Sequence, residues 1–114
     1  VVEGQILGGI AQGVGQALYE HGVYDDDGQL VTGSMLDYTM PRADNFPMIE
    51  SDRIETPSPS NSLGVKGVGE MGSITSPPAV VNAVVDALSD YGVKHIDMPL
   101  TSEKIWNLIQ TNGG

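Results

Sequence analysis

The sequence predicts an α+β fold that forms part of a larger domain. Apolar residues recur at helical spacing near both ends of the chain, and two segments between them are typical of extended strands. Glycine is abundant, at 15 of 114 residues, whereas the aromatic residues are one Phe, one Trp and four Tyr. Because an independent domain usually buries more aromatic surface, we infer that residues 1–114 complete their core against further protein.

The first predicted element is a glycine-rich helix over residues 3–21, with Gly22 as its stop. Its apolar residues at helical spacing are Ile6, Ile10, Val14, Ala17 and Leu18. Five glycines interrupt the pattern, and each costs a helix about 1 kcal/mol relative to alanine. They are Gly4, Gly8, Gly9, Gly13 and Gly15. Since glycine permits very close approach, this helix packs tightly either against a flat ligand or against protein alone.

A strand pair is predicted next. Three aspartates and Gly28 form a turn at residues 25–28. The EF-hand spacing is absent, so a solvated turn is favoured over a calcium site. Residues 30–39 then have an apolar or hydroxyl side chain at every second position, as a strand with one buried face would, and Pro41 ends the segment. Residues 49–56 form the second strand, followed by a loop rich in proline and serine at residues 57–62.

A glycine loop at residues 63–73 leads into two further predicted helices. Ser76 is the expected N-cap and Pro77 the first residue of the second helix, which Gly92 closes. Its expected buried stripe is Val80, Ala83, Val84, Ala87, Leu88 and Tyr91. Residues 94–98 are a candidate short strand. Thr101 then caps a last helix through Gln110 that buries Ile105, Leu108 and Ile109.

Composition and charge exclude several functions. Five basic residues stand against fifteen acidic ones, for a net charge of −10, which disfavours binding to nucleic acid and to anionic membranes. The chain has no cysteine, which excludes Cys-ligated zinc and iron–sulfur sites, and its two distant histidines indicate no His-based metal site without ligands from elsewhere. No apolar run reaches the length of a membrane span. The sequence has no signal peptide and begins at Val1 without an initiator Met, so we expect a fragment, and the lack of cysteine fits a cytoplasmic protein.

The motif from Gly67 to Gly72 fits the dinucleotide-binding pattern G-x-G-x-x-G. That fingerprint requires a hydrophobic strand directly before it and a helix opening within it. Here a proline- and serine-rich loop precedes it, which disfavours a dinucleotide site. What remains is Glu70 between glycines that cannot shield its carboxylate from a ligand. On chemistry alone a surface acid in a flexible loop is the favoured interpretation.

A family resemblance reverses that preference. Residues 65–70, VKGVGE, resemble the loop near the C-terminus of molybdenum hydroxylase large subunits that places a glutamate beside the metal. Residues 4–6 and 11–18 resemble their glycine-rich helix, and residues 38–41, YTMP, resemble one of their turns. The run from Thr101 to Gln110 resembles their last helix. Four motifs in series point to the xanthine dehydrogenase, aldehyde oxidase and carbon monoxide dehydrogenase family, closest to the carbon monoxide dehydrogenase large-subunit type.

The resemblance implies that residues 1–114 are the C-terminal part of a molybdopterin-binding domain. It implies an enzyme that oxidises carbon monoxide, an aldehyde or an N-heterocycle with oxygen from water, and it makes Glu70 the catalytic base. The implied cofactor-binding residues are Gln12, Gly13, Gly67, Val68 and Gly69. The cofactor would be molybdopterin, in its simple or cytosine dinucleotide form, with no metal ligand from this chain.

The resemblance also implies partners. They are the remainder of the large subunit, an iron–sulfur small subunit, an FAD medium subunit and a small-molecule substrate, with neither nucleic acid nor a membrane span. Two alternatives stay open on the residues alone. One is a non-catalytic acidic interaction module, and the other is a dinucleotide-binding fragment that uses residues 67–72.

Overall fold

Three helices carry the fold in the computed structural model, which describes residues 1–112. Helix α1 spans Val2–Leu18, α2 spans Met71–Ala87 and α3 spans Ser102–Asn112. Short 3-10 turns lie at Ala43–Asn45 and Ser89–Tyr91. The 52 residues between α1 and α2 (19–70) are mainly turns, bends and irregular chain, so the regular secondary structure of the described residues is almost entirely helical.

The first and last predicted helices are confirmed. Helix α1 ends at Leu18, four residues before Gly22, where the backbone N–H of Tyr19 bonds the carbonyl of Gly15. Helix α3 begins as predicted, because Thr101 Oγ1 accepts a hydrogen bond from the Lys104 N–H at 3.3 Å. A threonine side chain thus satisfies one of the free N–H groups of the first turn.

The predicted start of the second helix is wrong. Helix α2 begins at Met71, six residues before Pro77, so both prolines lie inside it. Hydroxyl groups reinforce its first two turns, since Ser73 Oγ donates to the Glu70 carbonyl and Ser76 Oγ to the Gly72 carbonyl. Close packing of Pro77 against α1, described below, outweighs the low helix propensity of proline.

The predicted strand pair is not confirmed. Residues 31–38 form turns and bends, and residues 49–58 have no regular secondary structure. Within residues 1–112 the β structure is a single antiparallel bridge between Tyr24 and Leu30. This bridge closes the predicted turn, in which Asp25 Oδ1 accepts hydrogen bonds from the N–H groups of Asp27 and Gln29. Residues 93–97 form no strand either.

The apolar core lies at the C-terminal end of α2. It comprises Leu88, Val93, Ile96 and Leu100, with half-buried residues of α2 and α3 around it. From the predicted stripe, Val84 and Leu88 point inward, while Ala83, Ala87 and Tyr91 are exposed. Half-buried Val81 and Val85 complete the inner face instead. Leu100 also links the core to α1, because its N–H donates to the Ala17 carbonyl at 2.7 Å.

Much apolar surface remains uncovered. The accessible surface is 8659 Å², whereas a compact monomer of this mass exposes about 6,000 Å². The radius of gyration is 17.9 Å, against about 13 Å for a compact domain of this length. Leu36, Met48 and Ile54 are more than nine-tenths exposed. These values agree with a core that is completed by further protein. None of the helices in residues 1–112 is both long and apolar enough to cross a membrane.

A glycine loop between two parallel helices

Helices α1 and α2 meet through small residues. A Cβ placed on Gly9 would lie 3.0 Å from Gly72 Cα, and one placed on Gly13 would overlap Ser76 Oγ. The contacts advance in the same direction along both helices, so the helices run parallel. At Gly9 no side chain lies between the helices and the two backbones touch, whereas at Gly13 the side chains of Ser76 and Pro77 contact α1. This arrangement puts the N-terminus of α2 beside the first half of α1.

Gly72 is the tightest point of this contact. A Cβ at this position would lie 2.6 Å from the Ile6 carbonyl oxygen, 2.8 Å from the Ile10 nitrogen and 2.9 Å from the Gly9 carbonyl carbon. These neighbours are all backbone atoms, which cannot move aside without displacing the helix. Only glycine therefore fits here, and the position of α2 relative to α1 is fixed to within a small tolerance.

Other glycines of α1 face open space. Gly4, Gly8 and Gln12 are spaced four residues apart and therefore share one face of the helix. A Cβ on Gly4 or Gly8 would have nothing within 4 Å, and the Gln12 side chain is exposed. The glycines of α1 therefore lie on two different faces. One glycine face packs on protein, and a second one forms a flat surface that ends in a carboxamide able to donate and accept hydrogen bonds.

The predicted cofactor contact Gly13 lies on the packed face, where Ser76 and Pro77 cover it. Of the loop residues, Gly67 and Gly69 have nothing within 4 Å of a Cβ position, and Val68 is half-buried. The backbone of residues 67–69 is therefore open to a ligand, whereas Gly13 is covered by the packing of α1 against α2.

Glu70 is the N-cap residue of α2, and its side chain makes no capping hydrogen bond. Its carbonyl accepts hydrogen bonds from the Ile74 N–H at 3.0 Å and from Ser73 Oγ at 3.1 Å. The carboxylate is exposed. Because the first N–H groups of a helix lack intrahelical partners, the carboxylate stands at the positive end of the α2 dipole, where negative charge is favoured.

A residue that the sequence analysis did not assign to the site ties the loop to α1. Gln5 Nε2 donates to the Gly69 carbonyl at 3.0 Å. Gln12, seven residues further along α1, lies about 10 Å away along the helix axis. The structure thus brings Gln5, rather than Gln12, to the glutamate loop. The available signal was the position of Gln5 within the first glycine motif, residues 4–6.

The chain leading into the loop is braced by its own polar groups. Asn61 exchanges two side-chain hydrogen bonds with the backbone of Val65, each 3.0 Å long. Lys66 Nζ donates to Thr56 Oγ1 at 2.8 Å. An open groove of about 360 Å³ lies alongside, with Ile54, Leu63 and Met71 among its lining residues. Lys66, four residues before Glu70 in sequence, is therefore hydrogen-bonded to a threonine.

The turn at residues 38–41 packs on the far end of α1. Tyr38 donates its hydroxyl to Glu20 Oε2 at 2.6 Å, and a Cβ on Gly15 would lie 2.9 Å from Pro41 Cδ. The hydrogen bond to Glu20, followed by desolvation and the negative charge of Glu20, raises the pKa of Tyr38 above its ordinary value. This turn holds the irregular middle segment on α1.

Two further features bear on the alternatives. No strand precedes the glycine loop within the described part of the chain, so the structural context of a dinucleotide fingerprint is missing. In residues 1–112, no three His, Cys, Asp or Glu side chains converge in a way that could hold a metal ion. A cavity of about 530 Å³ beside α3, lined partly by His21, Glu103 and Lys104, contains none of the predicted site residues.

Comparison with known proteins agrees with this arrangement. The family model of the molybdopterin cofactor-binding domain matches residues 1–47. The nicotine 6-hydroxylase large subunit of Paenarthrobacter nicotinovorans is 50% identical over 105 residues, which cover 92% of this chain and 13% of that protein. The carbon monoxide dehydrogenase large chain of Hydrogenophaga pseudoflava is 39% identical over 110 residues, covering 96% of this chain and 14% of that one.

A solved structure gives the same result. Quinoline 2-oxidoreductase from Pseudomonas putida 86 superimposes with a TM-score of 0.92 and 49% sequence identity, covering 97% of this chain and 14% of that one. The chain therefore spans about one seventh of the length of the proteins it matches. With 97% of the chain covered, the superposition extends well beyond residues 1–47.

Proposed function

Since the chain belongs to the molybdopterin-binding large-subunit family of xanthine dehydrogenase and carbon monoxide dehydrogenase, we propose that residues 1–114 are the C-terminal part of such a domain. The whole enzyme oxidises a small substrate with oxygen taken from water. Glu70 is its general base. The observation that carries this proposal is the exposed Glu70 carboxylate, held at the N-terminus of α2 on a loop fixed to α1.

The residues present fit the cofactor of this family. The open row of Gly4, Gly8 and Gln12 suits the face and edge of a flat ring system, because no side chain stands between the ring and the helix backbone. The exposed backbone of residues 67–69 suits a polar ligand close to Glu70. Molybdopterin, in its simple or cytosine dinucleotide form, is the proposed group. When bound, it supplies the redox centre and activates a water-derived oxygen.

The chain's own contribution is position and proton transfer. Glu70 accepts a proton at a carboxylate oxygen, and its glycine neighbours let substrate and cofactor come close. Gln12 orients the ring system through its carboxamide, and Gly13 keeps α1 seated on α2. The chain supplies no metal ligand. Electrons leave through an iron–sulfur small subunit and an FAD medium subunit, and the assembled enzyme is cytoplasmic.

We propose an aromatic N-heterocycle as the substrate class. The relatives whose names specify nicotine and quinoline are 50% and 49% identical to this chain, against 39% for a carbon monoxide dehydrogenase. Dye reduction by the whole enzyme with quinoline, an aromatic aldehyde or carbon monoxide distinguishes the classes. Turnover of carbon monoxide alone would contradict this assignment.

The role of Glu70 is tested in the full-length subunit by Glu70→Gln. We expect reduction by substrate to be lost, because the amide cannot accept the proton, with molybdenum content unchanged. Single-turnover reduction and metal analysis by mass spectrometry give the two readouts. The control is Glu103→Gln, an exposed acid on α3. Wild-type reduction in Glu70→Gln would refute the base assignment and favour a non-catalytic module.

A further inference from the structure

We propose that Gln5 is a positioning residue for Glu70 and that it acts by locking the peptide group between Gly69 and Glu70. Its side-chain amide donates to the Gly69 carbonyl at 3.0 Å across 64 positions in sequence. The inference rests on the proposed role of Glu70 as the base. It adds a second residue to the same site, one that acts through the backbone of the catalytic loop.

The geometry of the peptide group explains the effect. The Gly69 carbonyl and the Glu70 N–H belong to one planar trans peptide and point in opposite directions. Holding the carbonyl toward α1 therefore directs the Glu70 N–H away from α1. Gly69 has no Cβ, and its surroundings are open. Sterics alone do not resist rotation of this peptide, so the hydrogen bond from Gln5 sets its orientation.

Both sides of Glu70 are thus held by different helices. On its N-terminal side, Gln5 of α1 fixes the preceding carbonyl. On its C-terminal side, the Glu70 carbonyl accepts hydrogen bonds from Ser73 Oγ and from the Ile74 N–H of α2. The contact of Gly9 with Gly72, one turn further along, keeps the two helices in register. The backbone carrying the carboxylate is therefore defined by two rigid elements.

Removing the Gln5 donor frees the Gly69–Glu70 peptide while leaving the carboxylate and the open face of α1 in place. A displacement of about 1 Å at a reacting group costs roughly 100-fold in rate. We expect Gln5→Met, which keeps the side-chain length without the donor, to lower the rate of substrate reduction about 10- to 100-fold. Molybdenum content and KM should remain those of the wild type.

The experiment uses the assembled enzyme with Gln5→Met, Gln5→Glu and, as control, Gln16→Met, an exposed glutamine on the same helix. An ionised carboxylate at position 5 cannot donate to the Gly69 carbonyl, whereas a protonated one can. The rate of Gln5→Glu divided by that of Gln5→Met should therefore rise as pH falls. Gln5→Met introduces no charge, so a slower rate in that variant reports the loss of the donor alone. A merely structural role would also lower its molybdenum content.

Glu70→Gln, measured in parallel, separates this inference from the proposed function. Wild-type reduction in Glu70→Gln overturns both. An inactive Glu70→Gln beside a fully active Gln5→Met overturns the positioning role alone. Loss of molybdenum from Gln5→Met also overturns it, because Gln5 would then act on the cofactor. Slowed reduction with full molybdenum content and a pH-dependent ratio supports it.

Discussion

The two ends of α2 are packed in opposite ways. At the N-terminal end, the glycine contact (Gly9, Gly13, Gly72 and Ser76) brings the backbones together at Gly9 and Gly72 and places the small Ser76 side chain against Gly13. At the C-terminal end, the apolar core (Leu88, Val93, Ile96 and Leu100) buries aliphatic side chains. Hydrophobic stabilisation scales with buried apolar area, and the glycine contact buries little of it. The core therefore supplies stability, and the glycine contact supplies the precision that the proposed site requires.

The largest expected effect tests the core. Leu100 is 1% exposed, and we expect Leu100→Ala to destabilise its surroundings by about 3 kcal/mol through lost burial and a new cavity. Amides of α3 and of the C-terminal end of α2 should then exchange roughly 100-fold faster in the assembled enzyme, as followed by hydrogen-exchange mass spectrometry. Gln110→Ala, at an exposed polar residue of α3, should change exchange little. Equal effects of the two variants would contradict the conclusion that the apolar core supplies the stability.

The next effect tests the glycine contact. In Gly72→Ala the new methyl group meets backbone atoms of α1 within 3 Å, and overpacking of this kind costs about 2 kcal/mol. Faster exchange should be confined to α1 and the first turns of α2, and substrate reduction should fall with it. Gly67→Ala has open space at its Cβ and serves as the stability control. Unchanged exchange in Gly72→Ala would show that the helices separate easily.

The smallest effect separates stability from function at one position. Without cofactor, Gly8→Ala adds a methyl group to open space and should stabilise α1 by about 1 kcal/mol, or fivefold slower exchange, through helix propensity. The same methyl group stands on the proposed ring-binding face, so molybdenum content should fall. A more stable helix with full cofactor content would place the ring system elsewhere.

Local signals explain which parts of the fold were predictable. Helix α1 followed from the spacing of Ile6, Ile10 and Val14, and α3 from that spacing together with Thr101 as its cap. The start of α2 did not follow, because glycine, serine and proline at residues 72–78 are individually poor helix formers. Their helical conformation depends on hydroxyl-to-carbonyl hydrogen bonds and on the fit of Pro77 against Gly13.

Other features depend on contacts that a sequence pattern does not contain. A segment with strand-like alternation becomes a strand only when a partner pairs with it, and most of the predicted strand, residues 31–38, forms turns and bends instead. The motif at residues 67–70 identified Glu70 as a candidate, whereas Gln5 emerged only from a contact 64 residues away in sequence. A local motif was therefore enough to find the candidate base, but not the residue that we propose positions it.

The pairing of Gln5 with Gly69 closes a long, mostly irregular excursion of the chain. The entropy of closing a flexible loop grows only logarithmically, so doubling its length costs about 0.6 kcal/mol. Insertions and deletions between α1 and α2 are therefore inexpensive, provided that the two helices still meet at Gly72. The segment between α1 and α2 can therefore change in length and composition, which changes the surface that it offers to neighbouring protein. Glu70 keeps its position relative to α1 throughout.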